Sequence, residues 1–284
     1  MAIDPAFLQE LKRFDVAGRR ELAVAQQGER RSQDLGEGLT FSDFRRYVEG
    51  DDPGLIDWKI YARTNELYVK QFEAERSMRV HAIVDTSASM GFGDRAKFER
   101  AAKIALGYCY LFAADHDDFR VATLGEQPQR LDSGASTPGE LLSIIERLNG
   151  VSLAGELAVD AALKAYAGTT TARSLIVLGS DFLVDPDALA AGLDALSDHE
   201  VVLVNVVAPE EVSPPVSGET IFEGIETVSR LRTYFSPRRK QQYREDLEAH
   251  WADLQAVADR HGAEYVRVRT DGDFFEAFAE AWIG

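Results

Sequence analysis

Beyond residue 78 the chain alternates between short, almost wholly apolar runs and longer stretches in which apolar residues recur every three or four positions. The apolar runs are 80–84, 119–124, 175–178, 201–207 and 265–268. They are mostly apolar, broken by single polar residues such as His81, Arg120 and Asn205, which predicts strands buried largely on both faces. Between them, Phe98, Ala101, Ala102, Ala105, Cys109 and Phe112 keep helical spacing inside a helix predicted over 90–112. Residues 138–148, 153–166, 186–196 and 274–282 read as further helices. Ser236-Pro237 is a cap followed by proline at the first helical position, and Gly262 stops that helix after His261. Strands alternating with helices imply an α/β fold, a doubly wound, mostly parallel sheet with helices on both faces.

The first part of the chain reads differently. Residues 5–26 are predicted helical, with Phe7, Leu8 and Leu11 on one side, and 28–38 an exposed polar loop. From 41 to 75 the pattern is irregular, broken by the turn signal Gly50-Asp51-Asp52-Pro53-Gly54. A strand at 67–72 is expected, with 80–84 following as its neighbour. The chain therefore divides into an N-terminal helical and irregular arm, 1–78, and a sheet domain, 79–284.

Charge narrows the partners. Of 284 residues, 1–80 carry 13 Lys/Arg against 15 Asp/Glu, while 81–284 carry 18 against 33, for a net charge of −17. A body this acidic repels phosphate backbones and anionic lipid, so no nucleic acid and no membrane surface is expected as partner. No apolar run is long enough to span a membrane, and no signal peptide is visible at the start. The one cysteine, Cys109, lies mid-helix as a small buried hydrophobe. These features favour a cytoplasmic protein.

The candidate chemistry sits at Asp85-Thr86-Ser87-Ala88-Ser89, directly after the apolar run 80–84. Ligands of open α/β sheets bind outside the carboxyl ends of strands. A carboxylate and two hydroxyls at alternate positions there can converge on a hard cation such as Mg²⁺. A plain helix cap would use the same residue types. Two later loops add oxygens: Ser152, in Gly150-Val151-Ser152-Leu153, and Asp181, in Ser180-Asp181-Phe182 after the run 175–178.

This three-loop set resembles the metal-ion-dependent adhesion site of the von Willebrand factor type A domain. The pattern there is Asp-x-Ser-x-Ser, a Thr on a second loop and an Asp on a third. Asp85, Ser87, Ser89 and Asp181 match, and Ser152 stands in place of the Thr. The resemblance implies that Asp85, Ser87, Ser89, Ser152 and Asp181 hold Mg²⁺ (or Mn²⁺), with an open position for a partner's carboxylate.

Upstream, Gly36-Glu37-Gly38, Arg46 to Asp52, Ile56-Asp57-Trp58, Ala62-Arg63 and Lys70 to Glu75 resemble the signature of the bacterial domain-of-unknown-function family fifty-eight. There this segment precedes a von Willebrand type A-like domain. Gly54-Leu55 departs from it, where the family often has basic residues. Its members tend to occur with MoxR-type AAA+ ATPases, so the resemblance implies a protein partner: that ATPase or its client. The arm is either an internal latch or a recognition surface.

Enzyme readings are less well supported by the residues. Gly91-Phe92-Gly93-Asp94-Arg95-Ala96 matches a dinucleotide loop but stands too far from its strand. The five histidines lack zinc spacing. Arg238-Arg239-Lys240 opposes the dipole of the helix it begins, facing either solvent or an acidic partner. The expectation is a non-enzymatic interaction module. The alternative is a metal-dependent hydrolase or phosphotransferase using the Asp85 loop.

Overall fold

The computed structural model describes residues 3–9, 11, 39–48, 56–64, 66–74, 79–93, 96–114, 117–134, 136–170, 172–227 and 229–283. The described residues fall into two compact units. One draws on 19–77 and the other on 1–18 together with 78–284.

In the smaller unit β1 (Leu39–Arg46) pairs antiparallel with β2 (Tyr68–Ala74), with a register shift between Phe41 and Asp43. Between them lies α1 (Trp58–Thr64), whose Ile60 N–H is capped by Asp57 Oδ1 at 3.0 Å. Arg46 donates to both carboxylate oxygens of Glu66, at 3.0 and 2.9 Å. Within the irregular segment expected over 41–75, the described residues thus form a strand, a helix and a strand. The strand expected at 67–72 exists, but its partner is β1 and not the strand at 80–84. The loop at 28–38, the turn at 50–54 and the expected helix past residue 11 lie outside the described residues.

The larger unit is built on a six-stranded sheet: β3 (Arg79–Asp85), β4 (Phe119–Leu124), β5 (Gln129–Arg130), β6 (Ser174–Ser180), β7 (Glu200–Val207) and β10 (Glu264–Arg269). Their order is β10-β7-β6-β3-β4-β5, parallel throughout except for the short edge strand β5. The chain runs from β3 outward to β4, then returns to β6 on the other side. The order therefore reverses between β3 and β6, where a crevice opens at the carboxyl ends of the strands.

Helices cover both faces, as the alternation predicts. On one face lie α2 (Ala96–Ala114), α3 (Pro138–Asn149) and α8 (Phe274–Ile283), with buried Phe98, Leu141 and Phe278. Ile3, Phe7, Leu8 and Leu11 are buried in this same cluster. The first residues therefore belong to the sheet unit rather than to the arm grouped as 1–78. On the other face lie α4 (Val159–Ala167), α5 (Pro186–Asp194) and α7 (Pro237–His261), with buried Leu163, Leu189 and Leu254. The caps at Ser236 and Gly262 (φ 67°) close α7 as the sequence predicts.

Two expected helices start late. The one placed at 90–112 is a 3₁₀ turn, Ala88–Gly91, followed by α2. The one placed at 153–166 begins only at Val159. Upstream, Ala154 N–H donates to Thr86 O (3.0 Å) and Gly155 O accepts from Ala88 N–H (2.9 Å), with Gly155 at φ 76°. Backbone groups spent on a neighbouring loop cannot also form helix bonds. The sequence reading gave no elements for 208–235. This stretch holds α6 (Pro209–Val212) and a separate two-stranded hairpin, β8 (Gly218–Glu223) and β9 (Arg230–Phe235). Among the described residues, no helix is long and apolar enough to cross a membrane.

Candidate metal site at the carboxyl ends of β3 and β6

Asp85 is the last residue of β3, and Asp181 follows the last residue of β6. The pairing of Val84 with Gly179 brings the two loops side by side at the reversal point. Close helix packing underlies this. A Cβ on Gly179 would lie 2.8 Å from Cβ of Ala101 in α2, so glycine lets α2 cross directly over β6.

Asp85 is held through both carboxylate oxygens. Oδ1 accepts Ser87 N–H at 2.7 Å, and Oδ2 accepts Ser180 Oγ–H at 2.6 Å. Each oxygen keeps a second acceptor position. Burial pushes the Asp85 carboxyl up to about 7, with Ser180 opposing and the Asp181 charge adding to the rise. Ser87 and Ser89 are buried, and their Oγ atoms lie 3.1 Å apart. Adjacent ligands of an octahedral Mg²⁺ at about 2.1 Å stand about 3.0 Å apart, so the hydroxyl pair suits two neighbouring positions.

Asp181 is turned inward by an unusual backbone. The next residue, Phe182, is fully buried and has φ 47°, a left-handed conformation that costs a non-glycine residue on the order of 1–3 kcal/mol. It is held by Ser180 Oγ at its N–H (3.0 Å) and by His250 Nε2 at its carbonyl (2.9 Å). Asp181 Oδ2 accepts from Lys97 Nζ at 2.7 Å, and the same ammonium reaches Glu211 Oε1 at 2.5 Å.

A cavity of about 240 Å³ opens over these loops. It brings together Asp85, Ser87, Ser89 and Asp181. Ser152 is exposed and does not line it. The second loop contributes Glu156 instead, four residues on. Among the described residues, all the charged side chains lining the cavity are acidic: Asp85, Glu156, Asp160, Asp181, Asp185 and Glu226. Lys97 offsets only part of that charge. Acidic walls around buried hydroxyls attract cations. Among the described residues no group of three or more His, Cys, Asp or Glu side chains is arranged to hold a metal ion. The donor set that fits is hard and mixed: two carboxylates and two hydroxyls.

Ser180, Lys97, Glu156, Glu211 and Glu226 were missed by the sequence reading. Lys97 carried one signal, a cation beside Phe98 at the start of an otherwise apolar helix face. Ser180 directly precedes Asp181. The glutamates carried none: Glu156 and Glu226 come from loops and Glu211 from the four-residue helix α6, all too short for periodicity.

A family model described as "Protein of unknown function DUF58" matches residues 43–257. Uncharacterized proteins of Mycobacterium tuberculosis and Mycobacterium bovis are each 25% identical over 278 residues, covering 95% of this chain and 87% of theirs. Among solved structures, BatB from Bacteroides thetaiotaomicron has 15% identity and a TM-score of 0.42, covering 72% of this chain and 96% of that one. An aerotolerance-related membrane protein from Bacteroides fragilis has 17% identity and a TM-score of 0.45, covering 73% and 100%. The SpRpn10 VWA domain has 12% identity and a TM-score of 0.42, covering 71% and 93%.

Proposed function

This chain belongs to the DUF58 family, and we propose that it is a non-enzymatic protein-interaction module of von Willebrand type A-like design. It binds a divalent cation, Mg²⁺ or Mn²⁺, at the mouth of β3 and β6. The cation in turn receives an acidic side chain of a protein partner. Ser87, Ser89 and Asp85 are the residues that would hold it, with Asp181 supplying further negative charge. The observation that carries this reading is the cavity whose charged lining, among the described residues, is wholly acidic, set over two hydroxyls 3.1 Å apart.

The binding reading is supported over a hydrolytic one by the same residues. Asp85 is 1% exposed with both oxygens already accepting, a poor position for attack on a substrate. Among the described residues no histidine or lysine lines the cavity, so the one class of base it offers is its carboxylates, which the cation reading uses as ligands and countercharge. The MoxR-type AAA+ ATPase, or its client, enters as partner from the family resemblance, and a cytoplasmic location from composition.

The test is thermal. A cation that binds only the folded state stabilises it by mass action, about 2.7 kcal/mol at a hundredfold excess over Kd. Mg²⁺ or Mn²⁺ should raise Tm, and replacing Asp85 and Asp181 together by Ala should remove the shift. A double variant that responds as the parent does would place the site elsewhere.

A further inference from the structure

The hairpin of β8 and β9 stands apart from the six-stranded sheet. Two strands alone are marginal, so its placement needs side-chain support. Phe235 supplies some, packing on Phe222 at 5.3 Å and on Tyr243 of α7 at 6.4 Å between ring centroids. The turn of the hairpin reaches the Ser89 loop. There the usual order of burial is inverted: Ile225 is 54% exposed, while the neighbouring Glu226 is half-buried and lines the acidic cavity.

The turn is built to hold that carboxylate inward. Gly224 N–H donates to Ser229 O at 2.8 Å, and the hydroxyls of Thr227 and Ser229 lie 2.7 Å apart. A Cβ on Gly224 would stand 2.5 Å from Ser229 Oγ, so only glycine closes the turn this tightly. Among the described residues, Glu226 Oε1 accepts one long bond, from Ser89 N–H at 3.4 Å. One such bond offsets little of the cost of partly desolvating a carboxylate among five other acidic groups. A positive charge at the same point would reverse that balance.

We propose that Glu226 is a further ligand of the cation held by Asp85, Ser87 and Ser89, and that it fills the position a partner's carboxylate has to take. The proposal rests on the metal-site reading above. It makes the hairpin turn a strap that the cation fastens and an acidic partner displaces. Glu226→Gln keeps the size of the side chain and removes no core volume, so the variant should fold.

Mn²⁺ binding measured by calorimetry to the parent, Glu226→Gln and Asp85→Ala separates the possibilities. Losing an outer-shell partner alone weakens metal binding about 10- to 100-fold, so Glu226→Gln should bind at least about tenfold more weakly than the parent. Mg²⁺ should also slow amide hydrogen exchange across 222–231 in the parent and leave it unchanged in Glu226→Gln. Equal Mn²⁺ affinity, or equal protection of the turn, in parent and Glu226→Gln overturns the proposal. If Asp85→Ala has then lost binding, the metal site survives without the strap. A parent that binds no Mn²⁺ overturns both.

Discussion

Nζ of Lys97 lies 2.7 Å from Oδ2 of Asp181, and the lysine side chain has no exposed surface. The same ammonium holds Glu211, which in turn accepts Ala208 N–H at 2.8 Å and so ties α6 to the site. Removing one partner of a buried ion pair leaves charge uncompensated, at about 3–5 kcal/mol. Lys97→Met should therefore lower the unfolding free energy by that order in urea titration. Adding Glu211→Gln should restore part of it, since one of the two stranded charges is gone. An unchanged midpoint in Lys97→Met would mean the carboxylates find other partners.

Gly179 gives a packing prediction. Its missing side chain lets α2 approach β6, two residues ahead of Asp181. Gly179→Ala forces a 2.8 Å contact with Ala101, an overpacking of about 1–3 kcal/mol. The loss should appear as a lower Tm, and any metal response should weaken with it because the loop carrying Asp181 moves. A variant as stable as the parent would mean that α2 yields freely.

How much of this was legible in the sequence follows from what each residue's signal depends on. The strands around Asp85 and Asp181 announced themselves because both faces are buried, which leaves apolar runs broken only by His81. Gly262 and Ser236 announced α7 through local chemistry. The start of α4 was not readable, because Ala154 and Gly155 spend their backbone groups on the Thr86–Ala88 loop, which lies far away in the chain. Nor was the hairpin carrying Glu226: its strands are only half-buried, and Ile221, Leu231 and Tyr234 point out to solvent. Asp85, Ser87 and Ser89 could be named because one short loop holds all three. Lys97, Glu156 and Glu226 reach the site only through tertiary contacts.

His81 predicts an acid response. It is buried in β3, with Nδ1 2.7 Å from the Tyr166 hydroxyl and, among the described residues, no hydrogen-bond partner at Nε2. Burial first, then the positive charges of Arg79 and Arg120 and neighbouring His199, lower its pKa to about 4, with Asp132 opposing. The folded state thus resists a proton that the unfolded chain takes up near 6.5. Stability from this group is present above 6.5 and lost as pH falls toward 4, by about 3 kcal/mol in all. His81→Gln should flatten that limb, so the stability gap to the parent should narrow between pH 7 and pH 4. A constant gap would mean that the imidazole is protonated without penalty.

The partner prediction combines the site with its charge. The cavity's lining is acidic, so an acidic side chain of a partner is repelled unless a cation lies between them. Binding of a MoxR-type ATPase, or of its client, should therefore need Mg²⁺ and fall on chelation. Ser89→Ala should weaken it in the same way while leaving Tm without metal near the parent's, because it deletes one hydroxyl at a loop and no core volume. A binding surface confined to the arm would behave differently: Ser89→Ala and chelation would both leave affinity unchanged. Calorimetry of the purified ATPase against parent and Ser89→Ala, each with Mg²⁺ and with chelator, distinguishes the two. A loss in the Ser89→Ala titration matching the loss on chelation assigns the contact to the metal loop. Equal affinity in all four titrations removes the metal loop from recognition.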